Sequence, residues 1–264
     1  MSTESPSVKS AQRTLELLEL VARHPHGMTF VELADQLSYP KSSLHGLLQT
    51  VVAMKWLTLD SEDRRYSIGV RPWEVGQAFR PSRDIVIRAR RYLREANESL
   101  DETIQLGMLD DLDVVYLDKV EGTQPLRLVS SEGSRLPAYV TGIGKALLSG
   151  LPANVLRDRF AGQTLTGYTP HTITSGDRLI EVLDVVRARG YATDDGEYSH
   201  GVYCVAVPIT NRGGQVVAAL SFSVPTARIE NGDVTTDRMI EVLLVASRAI
   251  SAAIDAAPQS RSFS

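Results

Sequence analysis

The sequence predicts an α+β protein, because two kinds of apolar spacing occupy different parts of the chain. Residues 1–70 show helical spacing and one short hairpin, whereas β segments alternate with helices from residue 103 onward. A length of 264 residues suits one large domain or two modest ones. The 43% hydrophobic and 23% charged residues are ordinary for a chain with a buried core. We expect domains at 1–70 and 83–258, joined by a linker helix at 71–82.

Composition excludes several classes of protein. Cys204 is the single cysteine, so no intrachain disulfide can form. The first ten residues are polar and lack the apolar core of a signal peptide. No apolar run approaches the roughly 20 residues needed to span a bilayer. We therefore expect a cytoplasmic protein with no membrane partner.

The first helix is expected over residues 8–23, because apolar residues recur there at helical spacing. Turn residues at 24–27 end it. The expected inward face consists of Val8, Ala11, Leu15, Leu18 and Ala22.

A second, short helix is expected over residues 29–37. Thr29 and Glu32 have the spacing of a capping box, which satisfies exposed N–H groups at a helix start. Met28 and Leu33 are placed for the apolar contact that often accompanies such a box.

Pro40 opens the third expected helix, at a position where its missing N–H costs nothing. That helix runs to about Lys55, and two short strands follow at 56–60 and 65–69. Three helices and a polar-tipped hairpin of this order form a winged helix-turn-helix. The inward positions of the third helix are Leu44, Leu47, Leu48 and Val51.

The third helix has the pattern of a DNA-reading helix, which presents polar side chains to base edges while its other face packs on a scaffold. Its outward positions are Lys41, Ser42, Ser43, His45 and Gln49. In the hairpin, Arg64 and Arg65 could reach the DNA backbone or a minor groove. Pattern alone also fits a helical bundle whose polar face is only solvated.

The distribution of charge gives the DNA-binding hypothesis little support. The net charge is −4, and residues 1–80 carry nine basic and nine acidic side chains, which sum to zero. DNA affinity must therefore come from local placement of charge. Residues 80–94 contain six arginines and one acid, Asp84, and this run is either a solvated linker face or a contact for phosphates or an acidic partner surface.

The later part of the chain predicts an α+β domain. Residues 71–100 are expected to form two helices joined at a hinge near Pro81, which disfavours helix at the preceding residue. Expected strands lie at 103–109, 114–119, 126–130, 203–210 and 216–224, and expected helices at 141–149, 152–159, 177–189 and 233–256.

Six motifs occur in order along the chain: VKSAQRTL at 8–15, PKSSLHGLL at 40–48, TGIGKALL at 141–148, RGYATDD at 189–195, GVYCVAVPI at 201–209 and AALSFS at 218–223. Together they resemble the IclR family of bacterial regulators over nearly the whole chain. One position departs from the pattern. The family commonly has arginine after the histidine of the second motif, and here Gly46 removes a potential phosphate contact, which puts the usual operator sequence in doubt.

The resemblance implies an N-terminal winged helix-turn-helix and a C-terminal GAF-like α/β effector-binding domain. It implies a homodimer or dimer of dimers that binds a palindromic operator in double-stranded DNA, as repressor or activator, under control of a small organic effector and without a cofactor. By position in the motifs, the effector pocket would comprise Leu128, Leu136, Gly142, Ile143, Asp194, Cys204, Ser221 and Ser223.

The chemistry of these residues suits a small, oxygen-rich, anionic metabolite. A helix N-terminus at Gly142 offers N–H donors to a carboxylate. Ser221 and Ser223 alternate on one strand, so both point to the same face. The plainer alternatives are that Cys204 is a buried apolar residue, that the serines face solvent on an edge strand, and that Asp194 belongs to a turn.

Catalytic and metal motifs are weak. The sequence has no Gly-x-Ser-x-Gly or His-Glu-x-x-His, and its five histidines and one cysteine lack ligand spacing. Residues 142–145 resemble a phosphate loop, but Tyr139 and Ala146 occupy positions that require Gly and Ser or Thr. Two rivals stay open: a small-molecule enzyme with an accessory winged helix, and a winged helix that binds protein instead of DNA.

Overall fold

A computed structural model describes residues 8–123 and 130–256 of the chain, without the side chains at 80–83. Contacts within it divide the chain into two units, and the boundary along the chain falls between Arg80 and Pro81. No helix among the described residues is long and apolar enough to cross a membrane.

The first unit is a winged helix-turn-helix, as the sequence predicts. Its sheet has the antiparallel order β1-β3-β2, and β1 is a short strand that the sequence analysis did not anticipate. The elements are α1 (Lys9–Ala22), β1 (Met28–Thr29), α2 (Phe30–Gln36), α3 (Lys41–Ala53), β2 (Leu57–Leu59), β3 (Arg65–Ile68) and α4 (Val70–Gly76).

The core of this unit meets a face of α1 that is rotated from the expected one, and of the expected inward residues Leu18 packs against it. Leu17 and Val21 are buried against α2 and α3, whereas Val8 and Leu15, which were expected inside, are 69% and 62% exposed. Both sets recur at helical spacing on the same helix. The expected face was therefore wrong, because spacing alone does not tell which of two apolar stripes meets the core.

The start of α2 confirms the capping box. The Glu32 N–H donates to the Thr29 hydroxyl at 3.3 Å, and the Thr29 N–H donates to the Glu32 carboxylate at 2.7 Å. Pro40 lies one position earlier than expected, as the N-cap of α3. That helix ends at Ala53, because Lys55 has a φ of +63°, which is incompatible with a continuing helix.

The break between α4 and α5 (Arg80–Leu100) comes earlier than Pro81. Residues 77–79 separate the two helices, and Pro81 lies in the first turn of α5, where a proline is tolerated. The hinge expected at Pro81 is therefore displaced by about one turn.

A six-stranded antiparallel sheet of order β6-β5-β4-β9-β8-β7 organises the second unit. One face packs on α5 and α10, and α6 covers the other. The expected strand at 126–130 lies outside the described residues except for Ser130. The remaining elements are β4 (Thr103–Asp110), β5 (Asp113–Val120), β6 (Arg135–Pro137), α6 (Gly142–Leu148), α7 (Ala153–Phe160), α8 (Gly176–Arg189), β7 (Ala192–Asp195), β8 (Val202–Thr210), β9 (Val216–Pro225), α9 (Thr226–Glu230) and α10 (Thr236–Asp255).

Close packing of α6 on the preceding 3-10 turn, Ala138–Val140, fixes that helix over the sheet. Thr141 caps α6 by accepting the Gly144 N–H at 3.0 Å. A Cβ atom on Gly144 would lie 2.1 Å from the Ala138 carbonyl oxygen, so only glycine fits there.

Gly144→Ala should therefore destabilise the protein by about 1–3 kcal/mol, since backbone atoms would have to move. Gly46→Ala is the matched control: a Cβ there meets nothing within 4 Å, and alanine should stabilise α3 by up to about 1 kcal/mol. Calorimetric unfolding of the full chain measures both changes. Equal stability of the two variants would contradict this description of α6.

Candidate functional sites

The outward face of α3 is polar and accessible. Lys41, Ser42, His45 and Gln49 are exposed, and Ser43 is half-buried. Buried Leu44, Leu48 and Val51 hold the opposite face of the helix, whereas Leu47 is only half-buried. All five polar residues predicted to meet DNA thus lie away from the core of the first unit.

A polar network from α1 supports the first turn of α3. The Arg13 guanidinium donates to the Ser43 hydroxyl at 3.4 Å and lies 4.9 Å from the centre of the Tyr39 ring. The Tyr39 hydroxyl donates to the Glu16 carboxylate. This hydrogen bond lowers the pKa of Glu16, while burial and Glu16 raise the pKa of Tyr39 to about 12. Sequence reasoning missed Arg13, whose only signal was its place in the motif at 8–15.

The two arginines of the wing differ in their surroundings. Arg65 donates to the Gly27 carbonyl oxygen at 2.9 Å and pairs with Glu32 at 3.3 Å, so it ties the wing to α2. Arg64 lies exposed in the turn before β3, with a φ of +58°. Of the two, Arg64 is the better placed to reach an external partner.

Seven of the eight expected effector residues line one cavity in the second unit, between the sheet and α6; Leu128 lies outside the described residues. The cavity has about 420 Å³ of atom-free space, including its opening to solvent. The seven are Leu136, Gly142, Ile143, Asp194, Cys204, Ser221 and Ser223.

Strand register explains why residues far apart in sequence meet here. Asp194 pairs with Cys204, and Cys204 pairs with Ser223, so the three share one face across β7, β8 and β9. Ser221 lies two residues before Ser223 on the same face. Strand β9 is central in the sheet and both serines are buried, so the edge-strand alternative is wrong. The turn alternative for Asp194 is also wrong, because this residue lies within β7.

Seven further lining residues escaped sequence reasoning. Tyr198 and Ser199 come from the loop between β7 and β8. Thr141 and Val202 lie within two of the six motifs but were not singled out there. Gln105 carried one usable signal, since it is a polar residue inside an otherwise apolar stretch of a predicted strand. The full set of additions is Gln105, Tyr116, Ser130, Thr141, Tyr198, Ser199 and Val202.

Burial dominates the electrostatics of the cavity. Asp194 is 5% exposed, and burial raises its pKa to about 7 against the opposing charge of Lys145. Lys145 is itself buried and pairs with Glu197, whose N–H donates to the Asp194 carboxylate at 2.8 Å. Burial also raises the pKa of Cys204, so its thiol stays protonated. No lysine or arginine is among the described lining residues.

The arginine-rich part of α5 is not simply a solvated face. Arg88 donates to the Ala253 carbonyl oxygen at 3.1 Å, and Arg90 lies 3.6 Å from the buried Asp118 carboxylate. These two arginines anchor α5 within the second unit.

Comparison with known proteins identifies the family of both domains. The profile described as the IclR helix-turn-helix domain matches residues 10–61, and that described as the bacterial transcriptional regulator IclR C-terminal domain matches residues 77–252. The chain belongs to the IclR family of DNA-binding transcriptional regulators. Family membership confirms the winged helix-turn-helix and the α/β second domain that the sequence predicts.

Relatives within the IclR family cover the chain almost fully. It is 33% identical over 249 residues to the HTH-type transcriptional regulator XynR of Escherichia coli, covering 94% of this chain and 98% of that one. It is 34% identical over 230 residues to the acetate operon repressor of Salmonella typhimurium, covering 86% and 84%. An IclR homolog of Microbacterium hydrocarbonoxydans, solved with 4-hydroxybenzoate, has the same fold, with a TM-score of 0.82, 21% identity and coverage of 93% and 98%.

The wing arginines should respond differently to substitution. Arg64→Ala should weaken DNA binding with little change in stability, since its side chain is exposed. Arg65→Ala should lower the free energy of unfolding by about 1 kcal/mol, because the Glu32 pair and the hydrogen bond to Gly27 are lost. Fluorescence polarisation on DNA and urea unfolding separate the two effects. The reverse assignment would show that Arg65 is the DNA contact.

Asp194 should make the protein less stable as pH rises. The pKa of Asp194 is ~3.9 in the unfolded chain and about 7 in the folded chain. Between these two pH values the folded chain therefore binds more protons at Asp194 than the unfolded chain does. Stability from this residue is therefore present below pH ~4 and is lost as pH rises toward 7, on the order of 2–4 kcal/mol.

Asp194→Asn should flatten that part of the pH dependence of unfolding, because an amide does not titrate there. The amide oxygen can still accept the hydrogen bond from the Glu197 N–H. Asp195→Asn is the matched control, because Asp195 is exposed on the same strand. Calorimetry of the full chain from pH 4.5 to 8 gives the two profiles. An unchanged slope in the Asp194 variant would mean that this carboxyl is ionised in the folded protein.

Proposed function

We propose that this protein is a repressor whose operator binding is controlled by a small organic acid bound in the second unit. The observation that carries the proposal is the convergence of Asp194, Cys204, Ser221 and Ser223 on one buried polar cavity. Residues 1–70 would bind DNA, 71–82 would link the two units through the break between α4 and α5, and 83–258 would bind the effector. The choice of repressor over activator is supported by one relative, which is named the acetate operon repressor.

The outward residues of α3 would read the operator in the major groove. Lys41 and the hydroxyls of Ser42 and Ser43 lie in the first turn, where phosphates and base edges are within reach. His45 and Gln49 continue the same exposed surface. Arg64 would contact the backbone from the wing, and Arg65 would mainly hold the wing in place.

The exposed stripe on α1 supports a symmetric assembly. Its exposed apolar members are three, four and seven residues apart, which keeps them on one side of the helix. Two copies joined there would present two α3 helices to a palindromic operator, with half-sites roughly 34 Å apart. The exposed members of the stripe are Val8, Ala11, Leu15 and Ala22.

The cavity suits an acid although its described lining residues include no lysine or arginine. A protonated Asp194 can donate to a carboxylate, and Ser221 adds a hydroxyl. Gly142 and Ile143, the first two residues of α6, line the same space. The 4-hydroxybenzoate in the Microbacterium homolog is itself a carboxylate. The protonated thiol of Cys204 is a poor nucleophile, which supports binding over catalysis.

Control requires that the effector bind one arrangement of the assembly more tightly than another, since equal affinity would shift nothing. The protein would act in the cytoplasm, where the operator lies, and it needs no cofactor for either step.

Lys41→Ala should weaken operator binding about 5- to 100-fold, as expected when one phosphate or base contact is lost, and leave effector binding unchanged. Ser221→Ala should weaken effector binding and leave the effector-free protein with full operator affinity. Gel shifts across a salt series measure the first, and calorimetric titration with carboxylate metabolites measures the second.

Lys55→Ala is the control for charge, because Lys55 is exposed beyond the end of α3. It should bind the operator within about twofold of wild type. Loss of both operator binding and effector binding in both test variants would contradict the proposal that the first unit binds DNA and the second binds the effector. Turnover of a metabolite by the wild-type protein would instead identify an enzyme.

A further inference from the structure

Gln105 is a buried amide on the face of the sheet that lines the cavity. It lies on β4, is 3% exposed and faces the cavity, while its neighbours Ile104 and Leu106 face the core behind the sheet. Its amide nitrogen donates to the Ser130 hydroxyl at 2.5 Å, and its carbonyl oxygen accepts from the Ser223 hydroxyl at 3.2 Å. Two side chains therefore fix the orientation of this amide.

Those two hydrogen bonds leave part of the amide unused. A glutamine side chain has two N–H donors and two acceptor positions, and one of each is occupied among the described residues. Because Gln105 lines the cavity, the second N–H and the second acceptor position are available to a group bound there. A hydroxyl group, which both donates and accepts, matches this pair, whereas an alkyl group would leave both unsatisfied at a cost.

Gln105 and Asp194 lie at opposite ends of the cavity, because their strands are not neighbours in the sheet. Asp194 lies on β7 and Gln105 on β4, with β8 and β9 between them. Three strand spacings place the two backbones roughly 14 Å apart, and the side chains shorten that gap. Cys204 and Ser223, whose Sγ and Oγ atoms are 3.3 Å apart, lie between the two ends. The cavity is thus polar at both ends.

We infer that Gln105, held by Ser130 and Ser223, selects effectors that carry a hydroxyl group at the end remote from their carboxylate. The effector class is then the hydroxy acids, in preference to plain alkyl acids of the same length. This inference rests on the proposed function of the cavity. It adds a specificity-determining residue that none of the six motifs contains.

The test compares matched pairs of acids on the full chain by calorimetric titration. The probes are butanoate against 4-hydroxybutanoate and hexanoate against 6-hydroxyhexanoate. Wild type should bind the better hydroxy acid at least about tenfold more tightly than its alkyl partner, as expected for one or two hydrogen bonds to a buried amide. Gln105→Leu should reduce that ratio to about twofold or less, mainly by weakening the hydroxy acid.

Gln163→Leu is the matched control, since Gln163 is an exposed residue of the same unit and its substitution should leave the ratio at the wild-type value. Ser130→Ala serves where Gln105→Leu fails to fold, because it only releases the amide and should lower the ratio part of the way.

The outcomes separate this inference from the proposed function. Acids that bind with equal affinity in each pair, or a ratio that survives both cavity substitutions, would overturn the role of Gln105 and leave the effector site standing. If no acid in either series binds the wild-type protein, the organic-acid proposal fails and this inference fails with it.

Discussion

Strand β9 alternates between two environments, and both the core and the cavity of the second unit depend on that alternation. Ala218, Leu220, Phe222 and Val224 point to one face and pack on α5 and α10. Ser221 and Ser223 point to the other, where α6 covers them. A shift of one residue in register would expose the apolar set and bury the hydroxyls in the core, so apolar packing on one face fixes the polar site on the other.

The cavity is costly to form, and its own contacts offset that cost. Buried polar groups destabilise a fold unless they find partners. Here Gln105 bonds to both Ser130 and Ser223, Asp194 accepts from the Glu197 N–H, and Lys145 pairs with Glu197. Burial raises the pKa of Asp194 to about 7, so its carboxyl can hold a proton near neutral pH. In the proposed acid-binding site, the neutral form would supply a donor among described lining residues that include no lysine or arginine.

Sequence patterns predicted local structure well where a short-range interaction decides it. The capping box at Thr29 and the wing hairpin are of this kind, because each is specified within a few residues. The inward face of α1 was not predictable, since Leu15 and Leu17 belong to two stripes of equal regularity and only the position of α2 and α3 selects one. The cavity residues in the motifs were found by resemblance, whereas Gln105 lies outside every motif. The perturbed state of Asp194 depends on Lys145 and Glu197, which only the folded chain brings beside it.

Location of a bound ligand tests the central claim most directly. A crystal structure of the full chain with an organic acid that binds it in solution should show the carboxylate within hydrogen-bonding distance of Asp194 and Ser221, beneath α6. Density for the ligand elsewhere, such as the groove between α5 and α10 beside Tyr92 and Val245, with the cavity empty, would contradict the account.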